Sequence, residues 1–174
     1  MKNGINLKKM KTLFTIDCSG SVDGKILYHK ELEKIIDEYY KEGDTFYLWD
    51  DKRKEKNCSL ERIKEFNKKL QGFGGTDSSL IAKIAIDAGE SYREHLLIVT
   101  DGIVKKSCID ESTLIIQNNN IKFKYVTTFI IGDGSNLSVG APYCRDCPNV
   151  TYSIKSENER KKITSLFPQD IEAL

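Results

Sequence analysis

The chain has 174 residues, 39% of them hydrophobic, and 27 Lys and Arg against 26 Asp and Glu leave a formal charge of +1. That balance offers no basic field for nucleic acid or an anionic membrane, and no apolar run approaches the ~20 residues that span a bilayer. One globular domain is expected, able to bury roughly 70% of its unfolded surface without covalent staples.

Residues 1–11 read as a charged N-terminal extension, and the apolar stretch after it is too short for a signal h-region of ~7–15 residues. Residues 12–16 are an apolar run ending in Asp17, the pattern of a buried strand. Leu32, Ile35, Ile36, Tyr39 and Tyr40 then recur at helical spacing, with Gly43 as the stop. Residues 45–49 are β-branched and aromatic, hence a strand, and the charged stretch 50–57 leaves room for a short edge strand. Ser59 caps a helix with Leu60, Ile63, Phe66 and Leu70 on one face, ending near Gly72.

Leu80, Ile81, Ile84, Ala85 and Ala88 make a third helical stripe, followed by an apolar strand at 96–100 that ends in Asp101-Gly102. A weaker helix over 110–119 precedes a long strand at 123–131, which ends in Gly132-Asp133-Gly134. A short strand follows at 150–154. Ser156 with Glu159 reads as the capping box of a last helix over Ile163, Leu166 and Phe167, stopped by Pro168. Trp49 and the Tyr39–Tyr40 pair are expected in the core.

Strands separated by amphipathic helices imply an α/β fold, a single domain over 12–168 with a tail at 169–174. The sheet is expected to be mostly parallel and doubly wound, of about six strands with helices on both faces. Ligands of such sheets sit outside the carboxyl ends of the strands, at the topological switch point. Three segments place oxygen donors on tight turns there: Asp17-Cys18-Ser19-Gly20-Ser21, Gly74-Gly75-Thr76-Asp77 and Thr100-Asp101-Gly102. Each residue alone has an ordinary use, as a turn former or helix cap. Together the carboxylates of Asp17 and Asp101 with the hydroxyls of Ser19, Ser21 and Thr76 form an oxygen-only set suited to Mg²⁺, or to Mn²⁺ or Ca²⁺.

D-x-S-x-S after a first strand, a Thr in a Gly-rich loop and T-D-G after a later strand resemble the metal-ion-dependent adhesion site of von Willebrand factor A domains. The resemblance implies that Ser19, Ser21 and Thr76 coordinate through hydroxyls, with Thr76 gaining or losing direct contact in members that switch. It implies that Asp17 and Asp101 bind directly or through water, and that Asp77 only caps the next helix. It also implies a protein-binding module, whose cation engages an acidic residue of a protein partner within an intracellular assembly. No motif of that family is recognisable from Gly134 to Asn149.

Two other functions remain open at this level: a metal-dependent phosphoesterase, and a domain whose ion only ties loops together. The phosphoesterase lacks an evident general base, so no catalytic residue is assigned. Lys105 and Lys106, following the Asp101 loop, are candidates for attracting an acidic partner. Five cysteines in a chain without an export signal point to free thiols and a cytoplasmic location. Cys144-x-x-Cys147 is a single CxxC, where structural zinc wants four ligands, so two free loop thiols or a reversible disulfide are expected. Cys18 is expected to point away from the ion. A monomer is assumed.

Overall fold

Seven strands form one mixed sheet in the computed structural model, which describes residues 6–52, 54–133 and 136–163. The elements run β1 (Thr12–Asp17), α1 (Ile26–Tyr39), β2 (Thr45–Trp49), β3 (Lys54–Cys58), α2 (Leu60–Lys68), α3 (Ser79–Ala88), β4 (His95–Thr100), α4 (Lys106–Asn118), β5 (Tyr125–Ile131), β6 (Asn149–Ser156) and β7 (Glu159–Ile163). Their order across the sheet is β3-β2-β1-β4-β5-β6-β7. The five inner strands are parallel, and both outermost strands are antiparallel to their neighbours.

Alternation along the strands divides the core in two. Phe14, Ile16, Phe46, Leu48, Leu97 and Val99 pack on one face with Tyr28, Leu32, Ile35 and Ile36 of α1 and Ile63 and Phe66 of α2. Leu13, Tyr47, Trp49, Leu96 and Ile98 pack on the other with the α3 stripe and Ile116 of α4. Because both faces are covered, the central strands β1, β2 and β4 are buried throughout. Trp49 is fully buried, whereas Tyr39 and Tyr40 are half-buried against the α1 face. No helix among the described residues is long and apolar enough to cross a membrane.

The edges carry the charge. The possible edge strand in the 50–57 stretch is β3, whose Lys54, Glu55 and Lys56 keep the rim of the sheet wet. At the opposite rim the expected last helix is a strand: Ser156 pairs with Glu159 across a hairpin that runs back along β6. The Ser156 hydroxyl donates to Glu159 Oε2 at 2.7 Å, and Asn158 takes a positive φ of 63° in the turn. The same three-residue spacing thus closes a hairpin instead of a helix cap. The sheet therefore has seven strands rather than six. Leu166, Phe167 and Pro168 lie outside the described residues.

His95 ties the N-terminal ends of three inner strands together. Lys41 Nζ donates to Thr12 Oγ1 at 3.1 Å, which leaves the hydroxyl proton for His95 Nδ1 at 2.9 Å. The Nε2–H of that neutral ring then donates to Thr127 at 2.8 Å. Burial first, and the Lys41 charge second, push the imidazole down to about 3. A histidine that takes up protons more readily unfolded than folded stabilises the fold above pH ~6.5 and loses that contribution on acidification. Between pH 7 and 5 the expected loss is about 2 kcal/mol. Urea unfolding at both pH values should show it as the difference between wild type and His95→Gln, since other titrating groups are shared. Equal slopes would mean that the ring is not held neutral.

Candidate metal site

The helix α1 follows β1 on one face, and α4 follows β4 on the other, so the connections diverge between β1 and β4. That is the switch point at which a crevice opens beyond the strand ends. Asp17 is the last residue of β1, and Asp101 directly follows β4.

Asp17 is fully buried, and both of its carboxylate oxygens are used. Oδ1 accepts the Ser19 N–H at 2.8 Å, and Oδ2 accepts the Thr100 hydroxyl at 2.7 Å. Its backbone carbonyl accepts the Tyr28 hydroxyl at 2.6 Å. The Asx-type bond to Ser19 turns the chain sharply, so Cys18 drops into the α1-side core while the next residues rise toward the crevice. Cys18 is buried there among apolar side chains. Ser19 Oγ and Ser21 Oγ converge to 3.0 Å, across one turn of 3-10 helix at Gly20–Val22.

The Gly-rich loop lies directly along this turn. Phe73 N–H donates to Cys18 O at 2.7 Å, and Gly20 N–H to Gly74 O at 2.8 Å, a one-residue parallel bridge between Ser19 and Phe73. Glycine is required on both sides: a Cβ on Gly20 would sit 2.6 Å from Gly74 O. The loop delivers Thr76 half-buried into the same cleft as Ser21 and Asp101. Asp77 Oδ1 accepts the Ser79 N–H at 2.9 Å, the capping role expected of it.

Asp101 differs from Asp17. Its Oδ1 accepts the Ile103 N–H at 3.0 Å, but Oδ2 is buried with no hydrogen-bond partner. A carboxylate oxygen out of water and without a donor is costly unless a cation meets it. Its charge is also felt by Asp17, whose carboxyl is pushed up to about 6 by burial and then by Asp101. Two buried carboxylates and converging hydroxyls are a donor set that fits a hard divalent ion. Asp101 Oδ2 and the hydroxyls of Ser19, Ser21 and Thr76 would hold it, with Asp17 orienting Ser19 and Thr100 from beneath. Among the described residues no three His, Cys, Asp or Glu side chains come together as metal ligands, so the candidate is this hydroxyl-rich set.

The two lysines separate. Lys105 lines the cleft, whereas Lys106 extends into solvent and pairs with Asp110 at 2.9 Å. Neither histidine is in the cleft lining: His95 lies at the opposite strand ends, and His29 Nε2 sits 3.0 Å from Val22 O with Nδ1 at Asn67. Cys144 and Cys147 are free thiols whose sulfurs donate to Gly140 O and Tyr143 O. Burial pushes them up to about 12 and about 11, so neither is a thiolate at neutral pH.

Thr100 and Tyr28 are supporting residues that pattern reading missed. The Thr100 hydroxyl holds Asp17 Oδ2 while accepting Gly102 N–H, and Tyr28 reaches from α1 to the carbonyls of Asp17 and Val99. The T-D-G motif contained a signal for the first; Tyr28 had none. Compared with known protein families and with curated proteins, the sequence matches none.

Proposed function

We propose that the chain is a metal-dependent protein-binding module of the von Willebrand factor A kind, acting as a recognition part of an intracellular assembly. The observation that carries this reading is the buried, unpartnered Oδ2 of Asp101 beside a second buried carboxylate and three hydroxyl-bearing residues. The sheet supports it, with parallel strands ordered β2-β1-β4-β5 and the donors gathered at the β1/β4 switch point. On this reading Mg²⁺, or Mn²⁺ or Ca²⁺, keeps positive charge unsatisfied by neutral hydroxyls, and a partner's Asp or Glu completes its coordination. With no histidine lining the cleft, the reading assigns no catalytic base and no turnover.

Titration of the metal-free protein with Mg²⁺ should raise its melting temperature by mass action, and Asp17→Ala should remove the rise while leaving a folded protein. An undiminished rise in the variant would sink the site. Thr76→Ala should weaken partner binding more than Mg²⁺ binding, because this hydroxyl sets how electrophilic the ion remains. Calorimetry with Mg²⁺ alone, then with a bound partner, measures the two separately. Partner binding that survives EDTA would make the ion structural.

A further inference from the structure

Resting on the reading above, we propose that the partner's acidic residue is flanked by bulky apolar side chains, which dock on a collar formed by Ile26, Ile103 and Leu137. Among the described residues five large hydrophobic side chains are strongly exposed, and three of them, Ile26 at 58%, Ile103 at 56% and Leu137 at 44%, line the cleft that holds Ser21, Thr76 and Asp101. They come from three separate segments: the first residue of α1, the loop after β4 and the loop after β5. Neither core cluster includes any of the three. Isolated exposed apolar residues are ordinary, but their convergence on one polar crevice marks an interaction surface.

The collar is fixed to the ion site. Ile103 N–H is held by Asp101 Oδ1, and Ile26 is followed within α1 by Tyr28, which braces Asp17. Charge chooses the occupant. Lys25 and Lys105 line the same cleft, the first next to Ile26 and the second two residues past Ile103. With the cation they favour one carboxylate at the centre, while Asp133 on the rim disfavours a second. The cleft of about 1050 Å³ has room for several side chains around that carboxylate. A protein loop of the form apolar–acidic–apolar meets all of these features: charge at the ion, and apolar contacts that leave water on either side of it.

The test uses short disulfide-closed peptides displayed on phage, with a fixed central Glu and random neighbours, bound to the protein in Mg²⁺ and eluted with EDTA. Leu, Ile, Val or Phe should be enriched beside the Glu. The Ile26→Ser/Leu137→Ser double variant should bind the selected peptides about tenfold more weakly or worse, with its Mg²⁺-dependent rise in melting temperature unchanged. EDTA-eluted peptides with polar neighbours, or equal binding by the double variant, would overturn the collar. A Mg²⁺ response without any EDTA-eluted peptide would overturn it as well. If the Mg²⁺ response itself is missing, the underlying metal-site reading falls and takes the collar with it.

Discussion

Asp101→Asn should raise the melting temperature of the metal-free protein and abolish its further rise with Mg²⁺. The two halves have one cause. Without a cation, Asp101 Oδ2 is buried with no donor, and its charge opposes ionisation of the fully buried Asp17. Asparagine keeps an oxygen for the Ile103 N–H and removes both the repulsion on Asp17 and the cost of holding an unpaired charge out of water. The metal-free fold therefore gains. With Mg²⁺ at a hundred times its dissociation constant, wild type gains about 2.7 kcal/mol, a rise of about 5–10 °C for a domain of this size. The variant has lost the charge that the ion needs and should stay flat. Calorimetric scans with and without Mg²⁺ read both effects. A variant that melts lower than wild type without metal, or that keeps the response, would take Asp101 out of the site.

How far the sequence foretold this architecture depended on the range of the interactions involved. The inner strands and four helices were legible because their burial is written in local period: Leu32, Ile35 and Ile36 at helical spacing, and an unbroken apolar run into Thr100. The candidate ligands were legible because turns at strand ends have few residue types to choose from. The hairpin after β6 was not. Ser156 and Glu159 are three apart in a capping box and also three apart across a two-residue hairpin turn, and only pairing with β6 decides between them. Asn158, with its tolerance of positive φ, was the local clue. The bracing of Asp17 by Thr100 joins residues 83 positions apart, which no periodicity encodes. The charged stretch after β2 was likewise more than a wet edge. The backbone carbonyl of Asp50 accepts the Asp77 N–H at 3.1 Å, and the Asp51 carboxylate lies under Gly74 and Gly75, so both residues seat the loop that carries Thr76.

That seating gives the largest loss of stability expected of any single methyl group at the site. A Cβ at Gly72 would stand 2.5 Å from Asp23 N, 2.6 Å from Ser19 O and 2.8 Å from Asp23 Cα. All three are backbone atoms of the turn that presents Ser19 and Ser21, so no side chain can rotate away to make room. Either the Gly-rich loop lifts off, breaking the Phe73–Cys18 and Gly20–Gly74 hydrogen bonds, or the serine turn is pushed out of place. Gly72→Ala should therefore cost about 3 kcal/mol, the upper end for overpacking, and lower the melting temperature by about 10 °C. It should also weaken Mg²⁺ binding, because both serines and Thr76 depend on this contact. Gly75→Ala is the comparison: the three atoms nearest its Cβ all belong to the Asp51 side chain, whose Oδ2 at 2.8 Å can turn aside and whose Cβ at 3.2 Å need give only a few tenths of an ångström. About 1 kcal/mol or less is expected there. Urea unfolding and Mg²⁺ titration of the two variants compare a rigid neighbour with a yielding one. Equal losses, or a Gly72→Ala protein that binds Mg²⁺ as wild type does, would mean that the loop and the serine turn do not approach as closely as their hydrogen bonds require.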